Sequence, residues 1–93
     1  MGLRIEWGLS KAEKNLRKHG VSFEEAQTVF ADPLSATLDD PDHSEYEHRL
    51  LILGQTAGGR LLVVSFTERG DRVRIISARP ADPREKRSYE RGT

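Results

Sequence analysis

From residue 48 onward the chain carries three apolar runs, "HRLLILGQT", "RLLVVSF" and "RVRIISAR", joined by the short stretches "AGG" and "TERGD". No other feature limits the fold as strongly. Glycine-bearing connections of three and five residues are of hairpin length, so the spacing predicts three consecutive antiparallel strands. Runs such as "LLIL" and "LLVV" are too continuous for strands with one wet face, so the centre of the sheet is expected to be covered on much of both faces. With 93 residues the chain is long enough for one core but not two, and 1–93 reads as a single domain.

The cover has to come from the flanking segments. "LRIEW" alternates enough to be an opening strand. "SKAE" then reads as a capping box in which Ser10 and Glu13 satisfy each other's end of the turn, starting a helix that Gly20 ends. "VSFEEAQTVF" repeats the box with Ser22 and Glu25 and stops before Asp32-Pro33. "LSATL" is a further strand, followed by the loop "DDPDHSEYE". At the far end, Asp82 as cap, Pro83 at the first helical position and Glu85 closing the box predict a helix over roughly 83–91. The order β-α-α-β-β-β-β-α gives an α+β domain. Its sheet is mainly antiparallel, with about four to five strands, two N-terminal helices and one C-terminal helix. Trp7, Phe23, Phe30 and Phe66 fall among apolar neighbours and read as core.

Net charge is zero, but the charges are segregated. Residues 31–48 carry Asp32, Asp39, Asp40, Asp42, Glu45 and Glu47 with no Lys or Arg, whereas residues 49–93 carry ten Lys or Arg against five Asp or Glu. Such a chain can present a basic patch even though its total is nil, with intramolecular neutralisation as the plainer account. There is no cysteine, and therefore neither a disulfide framework nor a Cys-based metal site. The N-terminal stretch lacks a secretory apolar run and no segment approaches a membrane span, so a cytoplasmic protein without membrane contact is expected. The acidic loop has proline where a calcium loop needs glycine, and His43 and His48 stand too far apart for a zinc pair. No metal and no cofactor are expected.

Four blocks, "W…KAEKNLRKHGVSFEEAQTVFADP", "D…HSEYEHRLLILG", "GRLLVVSFTER" and "RVRIISARPADPREKRSYE", together resemble the BrnT toxins. The resemblance runs from Trp7 to Glu90. It implies a RelE-like fold, a ribonuclease that cuts RNA without metal, and neutralisation by a BrnA-like antitoxin. That antitoxin carries a ribbon-helix-helix segment, and the complex reaches operator DNA only through it. Arg49, Arg79 and Lys11 match residues of the family pattern. A binding module that keeps the fold but has lost catalysis, acting as a co-repressor subunit, is the competing reading, favoured by the neutral total charge and the lack of an evident general base.

Cleavage assisted by a neighbouring 2′-hydroxyl needs a base, cations for the crowded phosphorane and a donor for the leaving oxygen. Arginine suits the cation role because its fork binds two phosphate oxygens and stays charged. Arg79, at the end of a strand and before a turn, is the first choice; pairing with Glu85 is its plainer fate. Arg74 lies an odd number of residues away, so both serve one site only if a bulge intervenes or if Arg79 already lies beyond the strand. Arg72 reads as a solvated charge on a strand edge. On the first helix Lys11, Asn15 and Lys18 form a polar stripe, while His19 follows Ala12 and Leu16 on an apolar one. Lys11 ranks above His19 as a catalytic candidate, Lys18 is a candidate for contacting phosphate, and Tyr89 on the last helix is a candidate for contacting substrate.

Overall fold

A mixed five-stranded sheet in the order β1-β5-β4-β3-β2 carries the fold. The computed structural model describes residues 3–40 and 48–92. The elements are β1 (Arg4–Glu6), α1 (Leu9–His19), α2 (Phe23–Ala26), a 3-10 helix (Gln27–Ala31), β2 (Ala36–Asp39), β3 (Arg49–Gln55), β4 (Leu61–Arg69), β5 (Arg72–Pro80) and α3 (Pro83–Arg91). This is the expected α+β architecture. Strands β2 to β5 pair antiparallel, and β1 alone runs parallel, beside β5. Asp42, His43, Glu45, Tyr46 and Glu47 of the acidic loop lie outside the described residues.

The local signals near the helix ends hold at some positions and fail at others, for identifiable reasons. Gly20 takes the left-handed conformation that a helix C-cap requires (φ 69°). Asp82 and Glu85 close a complete capping box around Pro83, so α3 begins where expected. Ser10 does not cap α1. The helix starts two residues earlier than a Ser10 cap would have it, with Gly8 as N-cap and its carbonyl accepting from the Ala12 N–H at 3.1 Å. Tertiary packing overrides the local box, because Trp7 meets Phe23 edge to face with ring centres 6.0 Å apart and so fixes where the chain enters the helix. At α2 only half the box forms: Ser22 accepts from Glu25 N–H, but the Glu25 carboxylate is taken by Arg60 at 2.9 and 2.6 Å.

Strand pairing divides the sheet into two unlike faces. Leu50, Ile52, Leu62, Val64, Phe66, Val73, Ile75 and Ala78 share one face and pack with Val21, Phe23, Ala26 and Val29 of the N-terminal helical segment. Phe66 also meets Phe30 edge to face at 5.0 Å. Continuous burial on both faces holds for central β4, where every residue from Leu62 to Thr67 is buried, but in β3 burial alternates, with Leu51 and Leu53 only half covered. The second hairpin is tighter than the sequence spacing implies. Arg69 pairs with Arg72, leaving a two-residue turn in which Gly70 (φ 64°) supplies the conformation such turns demand.

Two features set β5 apart from the other strands. Opposite the consecutive β4 residues Ser65 and Phe66 stand Ser77 and Ile75, so β5 carries one extra residue, Ile76. Just beyond it Asn15 docks. Its side-chain NH2 donates to the carbonyls of Ala78 (2.9 Å) and Val21 (3.0 Å), and its Oδ1 accepts the Ala78 N–H at 3.0 Å. One side chain thus supplies both bonds that a neighbouring strand would give Ala78. Asn15 is therefore buried rather than part of a polar stripe with Lys11 and Lys18, while Leu16, assigned to an apolar stripe, is 52% exposed.

Replacing Asn15 by Leu leaves three buried backbone groups without these partners, at about 1–3 kcal/mol each before relaxation. Equilibrium denaturation of Asn15→Leu is expected to show a loss of at least about 3 kcal/mol. Leu16→Ala, one position on, should stay within about 0.5 kcal/mol of the native chain. A loss below about 1 kcal/mol for Asn15→Leu would contradict the role given to this amide.

Candidate functional site

The sheet face opposite the helical core gathers most of the arginines read from the sequence. Cross-strand partners point to the same face, so the pairs Arg49–Thr67 and Thr67–Arg74 form one row across β3, β4 and β5. The next row is Leu51, Ser65 and Ser77, and the one after it Leu53, Val63 and Arg79. Arg74 and Arg79 would lie on opposite faces in a regular strand. The extra residue Ile76 restores parity and puts both on this face.

Each of these arginines is held. Arg79 makes a two-pronged pair with Glu85, Nη1 to Oε1 and Nη2 to Oε2, both at 2.9 Å, with a weaker bond from Nη1 to the Pro80 carbonyl at 3.3 Å. The Glu85 hydrogen bonds raise the pKa of Arg79, and the Arg79 hydrogen bonds hold the Glu85 carboxyl below its ordinary value despite partial burial. Arg74 and Arg72 share Glu6, at 3.0 and 3.2 Å, because parallel pairing sets Glu6 of β1 beside Arg74. Arg72 is exposed but is not an edge charge, since β1 closes that side of β5. Arg49 is half-buried and already engaged by neighbouring groups.

The centre of this face holds hydroxyls that sequence reasoning missed. Ser65 and Thr67 are buried among the arginine rows, with Ser77 beside Ser65. Thr67 Oγ1 is enclosed and has no hydrogen-bond partner among the described residues. Only strand register reveals this grouping, because small hydroxyl residues are ordinary in strands.

Lys11, Lys18 and His19 come together at the open side of β5. With Lys14, Asn15, Ile76 and Ser77 they line a groove of about 250 Å³. Lys14 is an addition to the residues expected there, and its position one turn before Lys18 is the signal that could have found it. Ser77 belongs both to this groove and to the arginine face, so the two cationic surfaces meet at the bulge.

Tyr89 stands apart from these groups. Its hydroxyl donates to Asp32 Oδ2 at 2.7 Å, and the same carboxylate accepts the N–H groups of Gln55 (2.7 Å) and Leu34 (2.9 Å). Its polar end therefore ties α3 to the turn after the 3-10 helix. The Gln55 amide first, then the Tyr89 hydroxyl and the Leu34 amide, hold the Asp32 carboxyl low against the opposing effect of desolvation; in return Asp32 raises the Tyr89 phenol. Of the acidic loop, Asp39 pairs with His48 at 2.8 Å. Among the described residues no three His, Asp or Glu side chains converge as metal ligands. No helix among them is long and apolar enough to cross a membrane.

A family model described as "Ribonuclease toxin, BrnT, of type II toxin-antitoxin system" matches residues 7–85. Among solved structures, the chain is similar to the 1.1 Å crystal structure of the Brucella abortus ribonuclease toxin BrnT. Identity is 24% and the TM-score 0.63, over 87% of this chain and 99% of that one, a likeness of fold. No curated protein sequence matches.

The depressed Asp32 carboxyl makes a prediction about pH. A group whose pKa is lower folded than unfolded adds stability above its unfolded pKa and loses it as pH falls through the folded one. The stability difference between the native chain and Asp32→Asn should therefore be full at neutral pH and shrink once pH drops below about 4. Thermal melts of both proteins across that range check it, and a difference independent of pH would contradict the assignment.

Proposed function

Since the chain belongs to the BrnT family of ribonuclease toxins from type II toxin–antitoxin systems, we propose that it is an endoribonuclease that cuts RNA without a metal ion and so inhibits translation. The observation that carries this reading is the convergence of Arg49, Arg74 and Arg79 on the sheet face that the N-terminal helices leave uncovered. A surface of this kind binds the phosphates of an RNA strand. The 2′-hydroxyl next to the scissile phosphate attacks it in line, and the five-coordinate phosphorane that forms gathers negative charge on its equatorial oxygens. Arg79 and Arg49 stabilise that charge, and Arg74 and Lys18 hold adjoining phosphates.

Proton transfer falls to the groove beside the bulge. His19, half-buried there, accepts the 2′-hydroxyl proton in its neutral form, and Lys11, in the same groove, donates toward the leaving 5′-oxygen. Tyr89 is left with its ring alone for substrate, because its hydroxyl is committed to Asp32. A BrnA-like antitoxin silences the enzyme by covering the basic surface of residues 49–91, and operator DNA is reached only through that partner. RNA as the target sets the site of action in the cytoplasm.

Inducing the chain alone in cells tests the proposal. Growth should stop and RNA should fragment, whereas Arg79→Ala should grow normally and, purified and folded, cut RNA about a hundredfold more slowly. Arg79→Lys should recover little, since a point charge lacks the fork, and Arg72→Ala should stay toxic. Normal growth on induction of the native, folded chain would favour the non-catalytic co-repressor. A second measurement follows RNA affinity against salt. Affinity should fall by roughly 0.7 log units per contacted phosphate for each decade of salt, and a flat response would contradict a cationic binding surface.

A further inference from the structure

The Arg79 guanidinium has five N–H donors, two on its end edge, two on its side edge and one beside Cδ, and Glu85 occupies only one of the edges. The carboxylate takes the end edge, one bond from Nη1 and one from Nη2, each 2.9 Å. The second Nη1–H points to the Pro80 carbonyl at 3.3 Å. What remains is the side edge, Nε–H and the second Nη2–H, which carries no hydrogen bond among the described residues. Those two parallel donors are a complete fork for two phosphate oxygens.

Glu85 itself is held on its far side. Its Oε1 accepts the Asp82 N–H at 2.9 Å, and its own N–H donates to Asp82 Oδ1 at 2.8 Å. The capping box of α3 therefore fixes the carboxylate, and the carboxylate fixes the arginine. Arg79 side-chain exposure is 42%, so without this clamp its long stem would sample many rotamers in solvent.

We infer that Glu85 is a positioning residue for RNA cleavage, holding the Arg79 guanidinium by its end edge so that its side edge faces the scissile phosphate of the RNA. This rests on the reading of Arg79 as the cation of the cleavage step. The carboxylate does not touch RNA and acts only through the arginine. It sets a negative charge close to the phosphate, which opposes binding. Against that, it orients the arginine before substrate arrives, which is what electrostatic stabilisation of a transition state requires.

A double-mutant cycle separates this role from mere support of α3. Purified full-length native protein, Glu85→Gln, Arg79→Ala and the double variant are compared on a fluorophore-labelled single-stranded RNA of mixed sequence, at saturating protein, for single-turnover cleavage rate and for affinity. Glu85→Gln keeps an acceptor for the Asp82 N–H but loses the ionic fork. It should slow cleavage about tenfold or more while changing affinity little, and in the Arg79→Ala background the same substitution should change the rate less than about twofold. Asp82→Ala removes the side-chain half of the cap but keeps the Asp82 N–H that Glu85 Oε1 accepts; it should melt at least as early as Glu85→Gln yet cut faster than it.

Equal slowing by Glu85→Gln in both backgrounds would make Glu85 a structural residue and overturn the inference. So would a native or higher rate for Glu85→Gln, the higher rate marking the carboxylate as a competitor of phosphate. Unimpaired cleavage by Arg79→Ala would instead refute the catalytic reading of Arg79 itself, and the inference with it.

Discussion

One extra residue decides what β5 can do. Ile76 has no counterpart in β4, and from that point the side chains that would have faced the helical core face the opposite way. Without it, Arg79 would be driven toward a core of Val64, Leu62 and Val21, where an unpaired guanidinium is costly. With it, Arg74 and Arg79 flank Ser77 on one surface and Ala78 returns to the core. A bulge loosens the ladder locally, and Asn15 compensates by bonding both backbone groups of Ala78. Buried amide and extra residue work as a unit: one turns the strand, the other holds it turned.

The rest of the architecture keeps that surface available. The N-terminal helices bury a single face of the sheet, and none of the residues of α3 is fully buried. It is fixed by polar clamps instead, Arg79–Glu85 at its start and Tyr89–Asp32 near its close. Glu6 performs a related task on the other flank, balancing Arg72 and Arg74 with one carboxylate and leaving the group net positive. Zero net charge in the chain is thus compatible with a cationic face, because acidic residues hold individual arginines without cancelling them all.

How much of this is legible in the sequence depends on the range of the forces involved. Gly20, Ser22 and the Asp82–Pro83–Glu85 start are fixed within a few residues, and their local signals are reliable. Ser10 and the second half of the Ser22 box fail because distant groups, Trp7 against Phe23 and Arg60 on Glu25, override a local bond. Helical periodicity puts Asn15 with the lysines because it records spacing alone and is blind to a carbonyl on β5. The pairing of Arg79 with Glu85, the plainer fate open to that arginine, is present. A shared site for Arg74 and Arg79 needs either a bulge or an Arg79 beyond the strand end, and nothing in "RVRIISARP" says which of the two occurs or where an extra residue falls. Thr67 and the parallel partnership of β1 are invisible for the same reason: both belong to register, which only the assembled sheet defines.

The central claim, that β5 is re-registered so that its arginines form a single RNA surface, can be tested directly by NMR. The RNA would carry 2′-deoxy substitutions to prevent cleavage, and the spectra would follow backbone amides and arginine Nε–Hε groups during titration. Shifts are expected only at Arg49, Arg74 and Arg79 Nε–Hε, at the amides around Ser65, Thr67 and Ser77, and in the Lys11–Lys18 groove, with Val21, Phe23 and Val29 unmoved. Shifts centred on the β2 edge or the outer surface of α3, with the Arg79 signal unchanged, would contradict it.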